Sequence, residues 1–271
     1  MWRPSASDAS ASQAKRTSSG NGRITTTNSA ADRYHVAAVD IAEWHAVAGN
    51  EKATSIIRLA PPDVRTVVEI GCGTGAVLEA LDRRGFAESY WACEPEPSLC
   101  AQITSNRISR LVDVSPTTFD EAFGERRFDL AILTHVVEHL LTPAELVTQA
   151  LRRAGLVFVE VPLDNSPAGH ARAQIRNLLG RDRRDNAAGH VQFFSRRSAR
   201  DLVTFAGGTV LADRGYFPYD SAASGANSPH RRLVLRAAAI ESVGRAYYEH
   251  YAMLAELTTI SAWDHPYYRP A

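Results

Sequence analysis

The chain has 271 residues, 30 basic and 30 acidic side chains and a formal net charge of zero; 45% of it is hydrophobic and 22% charged. That composition excludes collagen-like, coiled-coil and wholly disordered chains, and zero net charge removes any global pull toward nucleic acid. No apolar run approaches the roughly 20 residues a membrane span needs, and Cys72, Cys93 and Cys100 do not read as a disulfide framework, so a cytoplasmic setting is expected.

Residues 1–32 are rich in Ser, Thr, Gly and Ala and almost empty of large apolar side chains. Such a segment cannot offset its ordering entropy by burial, which predicts a disordered tail. Residues 33–62 have helical periodicity; Gly49-Asn50 is expected to split them into two helices forming a lid, and Pro61-Pro62 to stop the second. The main domain is expected over 63–239. It starts with strand Thr66–Ile70, helix Gly75–Arg84, strand Ser89–Cys93 and helix Pro97–Asn106, then strands Arg110–Val114 and Phe128–Leu133. Thr142-Pro143-Ala144-Glu145 has the pattern of a capping box and launches a helix to about Arg153, before the very apolar strand Gly155–Val161. Apolar strands alternating with helices predict a parallel sheet covered on both faces, an α/β doubly wound, Rossmann-like fold. Farther on, a helix is expected from Ser195 to Ala206, then strands Thr209–Phe217 and Arg231–Ala238 as an antiparallel hairpin. Ile240–Leu257 has the spacing of a final helix, so 240–271 is expected to be a C-terminal helix and tail.

The first strand runs into Glu69-Ile70-Gly71-Cys72-Gly73-Thr74-Gly75, where bare backbone can approach a ligand and turn into a helix N-terminus. Gly71, Gly73 and Ala76 satisfy the permissive dinucleotide pattern, so an NAD-dependent oxidoreductase is one alternative. Glu69 argues the other way: an anion two residues before the first glycine repels a pyrophosphate but suits the ammonium and sulfonium of S-adenosylmethionine. Glu94, followed by Pro95 at the end of the next strand, is placed to accept hydrogen bonds from ribose hydroxyls.

With VVEIGCGTG, Glu94 and the run FDLAILTHVVEHL from Phe128, the sequence resembles the class I S-adenosylmethionine-dependent methyltransferases over about residues 66–217. The resemblance implies a seven-stranded, mostly parallel sheet with an antiparallel last strand. It also implies that Asp113 and Val114 flank the adenine, and that Thr134 and His135 lie beneath the sulfonium.

His135, Glu138 and His139 fall at i, i+3 and i+4, which would place them on one helix face. The spacing also matches one zinc metalloprotease pattern, or it can simply brace strand against helix. A further alternative comes from the ubiquinone-pathway O-methyltransferases and the small-RNA 3′-end 2′-O-methyltransferases, which have E-x-x-E-H here and bind a divalent ion. By that resemblance His135, Glu138, His139 and His190 become a four-ligand set, although His135 replaces an acid. Three imidazoles and a carboxylate favour Zn, Mn, Fe or Ni.

Glu160, at the end of the fifth strand, and His190 are the candidates for taking a proton from the methyl acceptor. Residues 170–190 carry five arginines, interleaved with Asp182 and Asp185 and without base-stacking aromatics. A lid over an anionic small molecule is favoured there over an RNA end. Tyr34, Trp44, Tyr247, Tyr248 and Tyr251 either close over the acceptor or pack a core or a homodimer interface. The expected activity is methyl transfer to oxygen or nitrogen of a small molecule, with a metal-dependent RNA 2′-O-methyltransferase as the nearest alternative.

Overall fold

The computed structural model describes residues 38–104, 107–163, 189–216 and 250–258, with side chains from residue 46 onward. The tail 1–32, the arginines between Arg172 and Arg184, the strand Arg231–Ala238 and the aromatics Tyr34, Tyr247 and Tyr248 lie outside these residues, as does the Trp44 side chain.

The chain opens with helix α1 (Ala38–Leu59) and then alternates β1 (Thr66–Ile70), α2 (Ala76–Arg83), β2 (Ser89–Cys93), α3 (Pro97–Cys100) and β3 (Leu111–Ser115). It continues with α4 (Phe119–Phe123), β4 (Phe128–Thr134), a 3-10 turn (Val137–His139), α5 (Pro143–Arg153) and β5 (Ala154–Pro162), and closes with α6 (Arg196–Phe205), β6 (Gly208–Tyr216) and β7 (His250–Leu257). The seven strands form one sheet in the order β3-β2-β1-β4-β5-β7-β6. β1 to β5 are mutually parallel, and β7 runs antiparallel to both β5 and β6.

Apolar β-branched strands explain this sheet. Val67 and Val68 of β1 and Val157 and Phe158 of β5 are fully buried, as side chains on alternate faces must be when both faces are covered. One face meets α5 and α6 through Val147, Leu151, Ala199 and Val203. The other meets α1 and α2 through Ala53, Ile56, Leu78 and Leu81. Asp129 fastens the amino edge: its Oδ2 accepts from the backbone N–H groups of Arg65 and Thr66 and from the Thr66 hydroxyl. From β1 the chain winds outward to β3, then crosses back to β4 on the other side. The carboxyl ends of β1 and β4 therefore flank the switch point, where ligands bind in open α/β sheets.

Several expectations are corrected. α1 runs unbroken through Gly49, because a Cβ there would lie 2.5 Å from the Ala76 carbonyl oxygen; the glycine admits a helix contact and does not end a helix. The helix from Pro97 stops at Cys100, after which Ile103 and Ile108 turn into the core beside Gly75. The expected capping box at Thr142 is not one: the Thr142 hydroxyl meets the Glu145 carboxylate and caps no backbone amide.

The C-terminal helix is overturned at its end. His250–Leu257 is strand β7, hydrogen-bonded on both sides, and it supplies the antiparallel partner of β6 that had been placed at Arg231–Ala238. A strand buried on both faces has a continuous apolar run, and such a run is hard to tell from a buried helix by spacing alone. Tyr251 is accordingly buried in the core, beneath the Arg196 guanidinium, and does not close over a ligand.

Candidate active site

The glycine turn leaves β1 with Gly71 and Gly73 both at positive φ, 68° and 54°. A Cβ on Gly71 would lie 2.7 Å from Val136 Cγ2, whereas one on Gly73 would meet nothing within 4 Å. The first glycine is needed for packing; the second faces open space. Gly71 and Cys72 both donate their backbone N–H to the Cys93 carbonyl, joining the turn to the end of β2. Cys72 is buried with its thiol against that carbonyl, and burial raises its pKa far above the ordinary value.

Glu69 and Glu94 stand on either side of this turn. Glu69 is buried at the end of β1; the Thr134 hydroxyl donates to its Oε1, and its Oε2 accepts no hydrogen bond. Burial pushes its pKa up to about 8, partly opposed by the Lys52 ammonium. An enclosed carboxyl with an unsatisfied oxygen is a receptor for a cation. Glu94 accepts from the Gly73 N–H at 2.9 Å and from the Glu96 N–H at 3.0 Å, so it already holds the loop that it shares with any ligand. Beside them lies a cavity of about 370 Å³ lined by Ile70, Gly71, Pro95, Phe119, Val136 and Leu146, among others.

Asp113 and Val114 lie inside β3, as the expected strand Arg110–Val114 has them, and the pairing with β2 shifts register between Tyr90 and Trp91. The residues after β3 that reach the cavity are Thr117, Thr118, Phe119 and Asp120. Sequence reasoning passed over these, although a polar pair followed by a buried Phe at the end of a strand was the available signal.

The His/Glu cluster differs most from expectation. His135 follows β4 at φ 57°, the left-handed region, and its N–H donates to the Glu160 carbonyl, prolonging the β4–β5 ladder. The Glu138 carbonyl accepts from the N–H groups of Val191 and Gln192, 2.8 and 2.9 Å away. With these backbone groups engaged across the chain, only a short 3-10 turn forms, and the three side chains do not share a helix face.

The four expected ligands therefore separate. Glu138, His139 and His190 come together, with the two imidazole rings 5.0 Å apart. His135 turns instead to Glu160 and His250, and touches Glu138 only through Nδ1, 3.2 Å from Oε1. A four-coordinate centre on the expected set does not fit this arrangement.

Glu160 is completely buried, and the Tyr216 hydroxyl donates to its Oε2 at 2.5 Å. Burial opposes its ionisation, but His135, His250 and Lys52 prevail and hold its carboxyl well below the usual range. Such a group is a poor general base. Burial also opposes charging of His135, but Glu138 and Glu160 win and raise its pKa; at His250 burial prevails and lowers it. Sequence reasoning missed both His250 and Tyr216.

A methyltransferase-domain family model matches residues 30–212. A ubiquinone biosynthesis O-methyltransferase from Methylobacterium sp. is 36% identical over 98 residues, 34% of this chain and 39% of that relative, so the match spans about two fifths of the relative's length. Among solved structures, a Haloferax volcanii complex between a methyltransferase activator and a methyltransferase matches with TM-score 0.58 at 14% identity, covering 84% of this chain and 96% of that one. A SAM-dependent methyltransferase from Archaeoglobus fulgidus matches with TM-score 0.51 at 16% identity, over 76% and 91%. The sheet order, the antiparallel β7 and the acidic glycine turn at the switch point agree with these matches: the chain belongs to the class I S-adenosylmethionine-dependent methyltransferases.

Proposed function

We propose that this protein transfers a methyl group from S-adenosylmethionine to an oxygen or nitrogen of a small-molecule acceptor. The observation that carries this reading is the buried Glu69 with one oxygen unsatisfied, beside a glycine turn open at Gly73. Once Glu69 gives up its proton, a pyrophosphate meets repulsion there and a sulfonium nucleoside with an ammonium group meets attraction, which favours the ionised form. Oxygen is the first acceptor atom to test, since the curated relative is an O-methyltransferase.

In this reading Gly71, Cys72, Gly73 and Gly75 receive the amino-acid end of the cofactor near Glu69. Glu94 exchanges its bond to the Gly73 amide for the ribose hydroxyls, and Pro95, Phe119 and Val136 wall the cavity. Thr134 keeps Glu69 in place through its hydroxyl. When bound, S-adenosylmethionine supplies a methyl group on a sulfonium, an intrinsically good leaving group, so orientation contributes much of the rate. Of the two candidates for the acceptor's proton, Glu160 is enclosed and strongly acidic, whereas His190 is only half-buried; the contact is assigned to His190. The arginines of 170–190 make an anionic acceptor the first class to try. No helix among the described residues is long and apolar enough to cross a membrane.

Calorimetric titration with S-adenosylhomocysteine tests the cofactor assignment, with NADH as the competing ligand. Heat from the first and none from the second is expected; the reverse overturns the reading. Incubating extract metabolites with tritiated S-adenosylmethionine then identifies the acceptor, and His190→Ala should slow that reaction without changing S-adenosylhomocysteine affinity.

A further inference from the structure

Three side chains meet at the carboxyl edge where β4, β5 and β7 lie side by side. His135 follows the last residue of β4, Glu160 is in β5 opposite Thr134, and His250 opens β7 opposite Pro162. His135 Nε2 is 3.0 Å from His250 Nδ1 and 3.3 Å from Glu160 Oε1, and His250 Nδ1 is 3.5 Å from the same Oε1. Three donors bound to one ion at about 2.0–2.1 Å stand roughly 3.0 to 3.4 Å apart, between octahedral and tetrahedral angles. Two of the observed edges fall within that range, and the third, His250 Nδ1 to Glu160 Oε1 at 3.5 Å, closes into it with a small side-chain movement.

The Glu160 side chain is wholly enclosed; its Oε1 accepts no hydrogen bond and has only ion-pair contacts, with the imidazole nitrogens of His135 and His250 at 3.3 and 3.5 Å. Lys52 acts on the group electrostatically and does not hydrogen-bond this oxygen either. A buried anionic oxygen in that condition calls for a partner. The supports around the triangle are those of a ligand set. Tyr216 donates to the other Glu160 oxygen, and Glu138 Oε1 lies 3.2 Å from His135 Nδ1, a charge contact on the side of the ring away from the centre. The His135 side chain, 24% exposed against 10% for His250 and none for Glu160, opens the centre to one side.

We propose that His135, Glu160 and His250 bind a single divalent transition-metal ion of borderline softness, with coordination positions left for an oxygen ligand. Two imidazoles and one carboxylate on one face of an ion suit iron, cobalt, nickel or zinc better than magnesium. This set shares only His135 with the one expected from sequence. It does not depend on the methyl-transfer reading.

The test is cobalt(II) titration of the chelator-treated full-length chain, followed by visible absorption, with S-adenosylhomocysteine calorimetry on the same sample. One equivalent of cobalt should bind with a d–d spectrum. His250→Ala and Glu160→Gln should weaken binding at least about 100-fold, Tyr216→Phe about tenfold through loss of orientation alone, and His139→Ala less than about threefold. Tyr216→Phe keeps all three donors, so it reports on the site even if a ligand variant fails to fold. Protein that binds S-adenosylhomocysteine but gives no cobalt spectrum would overturn the metal site and leave the cofactor reading standing. Cobalt binding without S-adenosylhomocysteine binding would do the opposite. A spectrum abolished by His139→Ala and spared by His250→Ala would assign the ion to the other cluster and overturn the proposal.

Discussion

The two sides of the switch point are built differently. On the β1–β2 side, Glu69, Gly71, Gly73 and Glu94 come from 26 consecutive residues, and backbone amides do most of the holding. On the β4–β5–β7 side, His135, Glu160, Tyr216 and His250 come from four separate segments, and side chains hold one another. The first side buries a carboxyl whose pKa rises to about 8; the second buries one held well below the usual range. Burial disfavours both charges alike. The difference is the company: Glu69 has a hydroxyl and a lysine acting on it, Glu160 two imidazoles, a phenol and the same lysine. One carboxyl is thus kept for an incoming cation, while the other is already enclosed by nitrogen donors.

Substitutions can break this comparison. The largest effect is expected from Gly71→Ala, whose methyl would collide with Val136 at a positive φ. A loss of roughly 2–4 kcal/mol of stability, read from urea unfolding, would match the clash, and an unchanged midpoint would remove the packing argument. Glu69→Gln comes next. It removes the anion but not the shape, so S-adenosylhomocysteine affinity should fall about 100-fold in calorimetry while thermal stability changes little. The same substitution at position 160 should leave that affinity within about threefold, and equal losses at both positions would dissolve the distinction.

The pH dependence sharpens it further. With Glu69 at about 8 in the free protein, cofactor binding must displace a proton. Affinity should therefore rise about eightfold from pH 6.5 to 7.5, below the range where the ligand's own ammonium titrates, and the rise should flatten in Glu69→Gln. The stability of the free protein has the opposite sign. A folded-state pKa raised above 4.5 means that the native state holds the extra proton, so thermal stability falls as pH climbs from about 4.5 to about 8. The smallest effect is reserved for Gly73→Ala. Nothing lies within 4 Å of its added methyl, so the cost of the left-handed backbone is about 1 kcal/mol in unfolding, but the methyl occupies the cofactor's space and lowers affinity about tenfold.

The local part of this protein is legible in its sequence. The glycine turn, the acids on either side of it and the strand–helix alternation depend on contacts close along the chain, and Glu69 and Glu94 stand where their spacing puts them. The strand that completes the sheet was not legible, because HYAMLAEL is apolar enough to suit a buried helix or a doubly covered strand, and only hydrogen-bonding partners on both sides decide between them. Nor was the division of the histidines. His135 and His139 are four residues apart, but the backbone of His135 is drawn to Glu160 and that of Glu138 to Val191 and Gln192, so the turn between them is not a helix. Short-range order along the chain determined the glycine turn and the two acids beside it. Which side chains meet at the carboxyl edge of β4, β5 and β7 was decided by the sheet, which brings His135 and His250 to hydrogen-bond distance across 115 positions of sequence.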